Sequence, residues 1–184
     1  DETLRPYQIR KHKLGNHVAQ DEIVYTEEDA TFVAFVYKSK SNDYIFIGSS
    51  STMSDEYRFI SADRPDDEFE ILQPRERGLE YRVAHFEDHF YIVTNRDSAT
   101  NFKLVKTPVS NTTAENWVDV IPHREDVLLE GVELFADYLV AEERSNGLNK
   151  IRIIQWVGGE HYVEFPEETY TAGTSVNPEF NTDK

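Results

Sequence analysis

The feature that most limits the fold of this chain is a repeat of 44 to 49 residues. Three turn aspartates, each followed by an aromatic and aliphatic run, lie 45 and 49 residues apart: Asp43, Asp88 and Asp137. Three prolines keep nearly the same period, with spacings of 48 and 44 residues: Pro74, Pro122 and Pro166. Independent sequence features that recur with one period indicate a chain built from similar structural units.

Each unit has the composition of β-strands. Short runs rich in β-branched and aromatic residues are bounded by Asn, Asp, Ser, Gly or Pro. Eight such runs are residues 31–39, 43–51, 56–62, 69–73, 89–95, 102–107, 137–143 and 149–156. Nowhere do apolar residues keep helical spacing over a long window. The sequence therefore predicts an all-β, antiparallel protein with hairpin turns.

Units of this length, each with four strands, are typical of β-propeller blades. Because proline cannot donate a hydrogen bond to a β-ladder, Pro74 and Pro122 are expected to end the outermost strands of two blades; the alternative is that the prolines mark unrelated turns. We predict a partial propeller over residues 1–184: a partial blade at 5–26, full blades at 32–74, 80–122 and 130–166, and a stub at 169–184. A closed propeller has roughly four to eight blades, so this chain is too short for a typical complete one.

Composition narrows the classes of partner. The 35 acidic and 19 basic residues give a net charge of −16, which repels phosphate backbones and argues against nucleic acid. Such a charge attracts cationic partners, or it serves solubility alone. No run approaches the ~20 apolar residues of a membrane helix, so no membrane partner is expected.

The chain has no cysteine, which excludes disulfides and thiolate sites and suits the cytoplasm, although a periplasmic location stays open. The opening residues DETLRPYQ lack an initiator Met and a signal sequence, as expected of an excised segment.

The residue types that carry catalysis do not form a recognisable motif. Residues 48–52, GSSST, lack the closing glycine of the G-x-S-x-G nucleophile turn and are interpreted as strand and turn. Of the six histidines, only His85 and His89 are close in sequence, and they are expected to flank the turn at residues 87–88. No metal site is predicted, because no pair of histidines has the spacing of a helical zinc motif.

The carboxylate pairs and the tryptophans also have structural interpretations. Adjacent residues on a strand face opposite sides, so neither Glu27–Glu28 nor Glu142–Glu143 is expected to converge on one substrate. We interpret both pairs as solvated blade surface rather than as acid–base pairs. Trp117 and Trp156, near strand ends, are expected to pack between blades rather than to form a ligand cage.

Several strings resemble a known family. They are ETLRPYQIRKHKLG (2–15), DEIVYTEED (21–29), PRERGLEY (74–81), NFKL (101–104) and LVAEERSNGLNKIR (139–152). In this order they resemble oligopeptidase B, or protease II, in the prolyl oligopeptidase family of serine peptidases. The resemblance covers most of the chain and fades after about Trp156.

The resemblance implies a two-part enzyme, in which a seven-bladed propeller covers an α/β-hydrolase domain with a Ser-Asp-His triad at the interface. Members cleave short peptides after Arg or Lys, and the residues that do so belong to the hydrolase domain. No catalytic, cofactor-binding or metal-binding residue is therefore expected in this chain, and no cofactor. The expected partners are the hydrolase domain of the same polypeptide and short basic peptides.

Two functions follow as hypotheses. The first is the non-catalytic propeller portion of a serine oligopeptidase, which covers the active site and controls substrate access. The second is a stand-alone propeller-type module that binds a protein partner. A reading frame that continues past Lys184 into a G-x-S-x-G-G motif would distinguish them.

Overall fold

A computed structural model describes residues 4–182. These residues form antiparallel β-strands and two short 3-10 turns, Val18–Gln20 and Ala114–Asn116. The strands are β1 (Gln8–Lys11), β2 (Glu22–Thr26), β3 (Val33–Lys38), β4 (Tyr44–Ser50), β5 (Asp55–Ser61), β6 (Glu70–Gln73), β7 (Tyr81–Phe86), β8 (His89–Thr94), β9 (Lys103–Pro108), β10 (Val118–Ile121), β11 (Leu128–Leu134), β12 (Tyr138–Ser145), β13 (Leu148–Gln155) and β14 (Glu160–Tyr162). The predicted all-β class is confirmed.

The chain divides by its contacts into two compact units. The first contains residues up to 38 together with residues 42–79, and the second contains residues 39–41 together with the chain from residue 80 onward. Sheet order follows chain order in both units, as expected when hairpins connect successive strands.

The first unit contains the two-stranded sheet β1–β2 and the four-stranded sheet β3–β4–β5–β6. The second strand of the larger sheet, β4, is apolar on both faces, and Phe46 and Ile47 are completely buried. Gly48 in β4 pairs with Phe35 in β3. A Cβ atom at Gly48 would lie 2.3 Å from the Phe35 ring, so glycine is needed for the ring to lie against this strand.

The second unit contains two four-stranded sheets, β7–β8–β9–β10 and β11–β12–β13–β14. Their facing sides form one hydrophobic core. Its buried members are Tyr91, Val93, Leu104, Ile121, Leu129, Leu134, Leu139 and Ala141. The stacking of two sheets through alternate residues of their strands is the packing expected of neighbouring propeller blades.

The positions of two prolines explain how the sheets end. Pro74 directly follows the edge strand β6, and Pro122 directly follows the edge strand β10. The missing N–H of each proline therefore removes no hydrogen bond from the interior of a sheet. This agrees with the edge position that the sequence predicts for both.

The chain after β14 runs to residue 182 without a further strand among the described residues. It stays close to the last sheet, because the Ala136 amide donates to the carbonyl oxygen of Phe180 at 3.1 Å. The amide and the hydroxyl of Thr174 both donate to Glu142, at 2.6 and 2.9 Å. No helix within residues 4–182 is long and apolar enough to cross a membrane.

Candidate functional site

The GSSST segment has a structural role. It forms the end of β4 and the following turn, as predicted. Ser49 is completely buried, and its hydroxyl donates to the Glu27 carboxylate at 2.5 Å. Because this serine is completely buried, a substrate cannot reach its hydroxyl, and it lacks the exposure that a catalytic nucleophile needs.

The two neighbouring histidines flank the turn after β7, as the sequence predicts. His85 is 2% exposed, and its Nδ1 lies 2.7 Å from the Ser41 hydroxyl. His89 lies beside Asp88, with 2.5 Å between Nδ1 and the carboxylate. In the β7–β8 ladder His85 pairs with Phe90 rather than with His89. No group of three or more His, Asp or Glu side chains within residues 4–182 is placed to hold a metal ion.

Glu27 is buried, at 4% exposure, so its interpretation as solvated surface is wrong. Its carboxylate receives a hydrogen bond of 2.7 Å from Arg75 and one of 2.8 Å from the Tyr25 hydroxyl. Glu28, its neighbour, is exposed. Both residues follow β2 rather than lie on it, so the strand rule used in the sequence analysis does not apply to this pair.

The contacts of Glu27 keep it ionised. Burial would raise the pKa of this carboxyl, but the hydrogen bonds from Arg75 and Ser49 outweigh burial and lower the pKa to about 2. Arg75 also lies 3.5 Å from the centre of the Phe32 ring and 3.8 Å from Glu56. These contacts satisfy a buried charge, and none of them leaves the carboxylate open to a substrate.

Glu143 is a second buried carboxylate, completely inaccessible, and its interpretation as solvated surface is also wrong. Arg124 donates to it, and Arg152 donates at 3.3 Å. The hydroxyl of Tyr162 adds a hydrogen bond of 2.7 Å. The pKa of Arg124 is raised: burial lowers it, but the Tyr162 hydroxyl and the Glu143 charge raise it by more.

A sequence signal for Glu143 exists in the repeat. Counting six residues from each turn aspartate reaches three polar side chains near the ends of the second strands: Ser49, Thr94 and Glu143. All three are completely buried. A polar residue at the same place in successive repeats therefore marks a buried polar position, which single-strand reasoning does not detect.

The two tryptophans differ in the sheet that their rings contact. The Trp156 ring stacks on Phe86 of the neighbouring sheet, with 4.6 Å between ring centroids, and lies 5.4 Å from Tyr91. Packing between blades is therefore correct for Trp156. Trp117 instead contacts its own sheet, since its ring lies 5.7 Å from that of Tyr81 and its indole N–H donates to the Thr112 carbonyl.

Two adjoining cavities of the second unit, of about 570 and 450 Å³, could hold a ligand. They share Asp137, Tyr138 and Gln155. Three carboxylates line them: Glu87, Glu133 and Asp137. Of the described residues that line either cavity, none is Lys or Arg. The pair of cavities is therefore acidic.

Aromatic rings form the walls of these cavities. Phe86 and Trp156 stack in the smaller one, and the centroids of Phe135 and Tyr138 lie 4.8 Å apart in the larger one. We call the surface formed by these residues the acid–aromatic groove: Phe86, Glu87, Glu133, Phe135, Asp137, Tyr138 and Trp156. Carboxylates beside aromatic faces attract cations.

The sequence profile of the prolyl oligopeptidase N-terminal β-propeller domain matches residues 1–184. Dipeptidyl aminopeptidase BI of Pseudoxanthomonas mexicana is 42% identical over 99% of this chain and 25% of its own length. Protease 2 of Moraxella lacunata is 33% identical over the whole chain and 26% of its own length. The chain thus spans about a quarter of the curated relatives it matches.

Two solved structures are similar in fold and sequence. Oligopeptidase B from Leishmania major superposes with a TM-score of 0.87 at 29% identity, over 93% of this chain and 25% of that one. Oligopeptidase B from Trypanosoma brucei, with covalently bound antipain in a closed form, gives a TM-score of 0.84 at 26% identity, over 91% of this chain and 25% of that one. The chain therefore belongs to the N-terminal β-propeller domain family of the prolyl oligopeptidases.

Proposed function

We propose that this chain is the non-catalytic propeller portion of a serine oligopeptidase whose parent polypeptide also carries an α/β-hydrolase catalytic domain. The observation that carries the proposal is the similarity to Leishmania major oligopeptidase B, which extends over 93% of the chain at a TM-score of 0.87. The buried carboxylates of Glu27 and Glu143 support it, because their side chains hold the fold together rather than reach a substrate.

The proposed substrates are short peptides, cleaved after Arg or Lys. The net charge of −16 supports this specificity, because an acidic propeller raises the local concentration of basic peptides. The proposed role of the propeller is to cover the active site, admit short unfolded peptides and exclude folded proteins. The closed form named for the Trypanosoma brucei enzyme supports a propeller that moves relative to its catalytic partner.

A second candidate is favoured by the higher identity to dipeptidyl aminopeptidase BI, 42% against 33% for protease 2. The parent enzyme would then require a free amino terminus on its substrate. The propeller would have the same covering role in both cases, and the difference would lie in how the substrate amino terminus is recognised.

The test is the activity of the complete parent polypeptide on two fluorogenic substrates. One is an amino-terminally blocked Arg-Arg amide, and the other is a dipeptide amide with a free amino terminus. Cleavage of the blocked substrate, sensitive to a serine-directed inhibitor, supports the oligopeptidase. Cleavage of the unblocked substrate alone supports the aminopeptidase. A parent frame without a G-x-S-x-G-G motif and without either activity would favour a stand-alone binding module.

A further inference from the structure

The acid–aromatic groove has a charge that none of the buried ion pairs accounts for. Asp137 is exposed at the turn before β12, and Glu87 is exposed at the equivalent turn before β8. Glu133 lies at the end of β11, on the larger cavity. Glu133 is paired with Lys40, which is not among the described lining residues, so Glu87 and Asp137 give the groove a net negative charge that a cationic ligand would complement.

The potential acts on a neighbouring side chain. The pKa of the Tyr91 hydroxyl is raised, first by burial and then by the charges of Glu87 and Asp88. The charges of Glu87 and Asp88 thus help to keep this hydroxyl protonated, and Glu87 also lines the smaller cavity.

One ammonium group of this chain contacts two of the groove residues, although Lys40 does not itself line either cavity. The Nζ atom of Lys40, which belongs to the second unit, lies 3.2 Å from the centre of the Phe135 ring. The same atom lies 2.7 Å from the Glu133 carboxylate. The Phe135 and Glu133 pair therefore has the geometry that binds an ammonium by a cation–π contact and an ion pair.

We propose that the acid–aromatic groove is a binding site for a lysine or arginine side chain of a peptide, and that Lys40 competes with this side chain for Phe135 and Glu133. The aromatic faces would bind the aliphatic stem of that side chain, and Asp137 with Glu133 would bind its charged end. The inference deepens the proposed function and takes the peptide class from it. The site lies on the propeller, so it would retain peptides outside the catalytic domain.

The experiment uses the two tryptophans of the chain as reporters. The probe is acetyl-Lys-Ala-Lys-amide, titrated into the full 184-residue chain labelled with ¹⁵N at the indole nitrogens. Trp156 is part of the groove, whereas Trp117 contacts the sheet of Tyr81. We expect the Trp156 indole signal to shift with saturation and the Trp117 signal to stay unchanged. An analogue with norleucine in place of lysine should shift neither.

Two pairs of variants test the mechanism. Asp137→Asn should weaken binding about fivefold, the size expected for loss of one exposed ion pair, while Asp126→Asn, an exposed residue outside the groove, should not. Lys40→Met should tighten binding by removing the internal competitor. Lys38→Met makes the same charge change at an exposed position and should have no such effect.

The proposal is overturned if Trp156 does not shift, if both aspartate variants weaken binding equally, or if Lys40→Met leaves the affinity unchanged. These outcomes are independent of catalysis. If the parent enzyme cleaves basic peptides but the isolated chain shows no Trp156 shift, the proposed binding site is contradicted and the proposed function is not. A Trp156 shift beside an inactive parent would contradict the proposed function alone.

Discussion

The Arg75 guanidinium donates a 2.7 Å hydrogen bond to the carboxylate of Glu27, which lies 48 residues earlier in the chain. Arg75 follows the edge strand β6, and Glu27 follows β2. The pair therefore connects the two sheets of the first unit through a buried charge. An ion pair at such a place contributes little if intact, but its loss leaves an uncompensated charge in a poorly hydrated environment.

Replacing Glu27 by Gln should destabilise the chain by about 3 kcal/mol, because Arg75 would lose its hydrogen-bonded buried counter-charge and keep only more distant carboxylates such as Glu56 at 3.8 Å. The measurement is urea unfolding at pH 7. Glu28→Gln is the matched control, since it removes the same charge one residue away at an exposed position, and should change the stability by less than about 0.5 kcal/mol. Equal losses in the two variants would show that the Glu27 pair does not stabilise the fold.

The same carboxylate predicts a pH dependence. Its pKa is lowered from 4.5 to about 2 in the folded chain. A carboxyl whose pKa is lower in the folded chain stabilises the fold at pH values above its pKa in the unfolded chain. This stabilisation is lost as the pH falls through its pKa in the folded chain. Unfolding free energies measured between pH 5 and pH 2 should therefore fall more steeply for the natural chain than for Glu27→Gln. Parallel curves would contradict this assignment.

Tyr91, three residues after its turn aspartate, is 6% exposed and belongs to the core of the second unit. Truncation to Ala should cost about 3–5 kcal/mol, because it removes an aromatic ring and leaves a cavity between the two sheets. Chemical denaturation measures the loss. Val118→Ala on β10, where the side chain is 62% exposed, should cost less than about 0.5 kcal/mol. A loss below ~1 kcal/mol for Tyr91 would contradict its role in this core.

Hydrogen exchange should be slow in the sheet β7–β10. Its strand β8 is bonded on both sides, and Thr94 and Leu104 are completely buried. Amides before Tyr25 and after Glu164 should exchange faster, because they lie in a two-stranded sheet or outside the described strands. Mass spectrometry of peptic fragments after timed exchange measures this difference. Uniform protection along the chain would contradict it.

The charge of the propeller should influence catalysis in the parent enzyme. Reversal of the exposed Glu28 to Lys should lower kcat/KM for basic peptides at low salt, and the effect should fade at high salt, because the screening length is about 8 Å at physiological ionic strength. Glu27 is excluded from this test, since its reversal would disrupt the buried pair. A decrease that is independent of salt would indicate solubility or folding rather than steering.

Of the fourteen strands in the described residues, the sequence alone located eight, together with their antiparallel pairing and the edge prolines. These depend on local properties: the alternation of side chains, β-branched composition and the missing N–H of Pro74 and Pro122. The packing of Trp156 against the neighbouring sheet was predicted correctly, whereas the same expectation is wrong for Trp117, because a large ring near a strand end can also be buried on its own sheet.

Only the tertiary structure decided which polar groups are buried. Glu27 and Glu28 are equally acidic in sequence, yet one is 4% exposed and the other lies in solvent. The difference depends on whether an arginine far along the chain reaches the carboxylate, and no local pattern encodes that distance. The acid–aromatic groove has the same origin, because Glu87 and Asp137 come from separate repeats and meet only when two sheets pack. Burial and electrostatic potential depend on every element that surrounds a residue, whereas strand formation depends mainly on its neighbours in sequence.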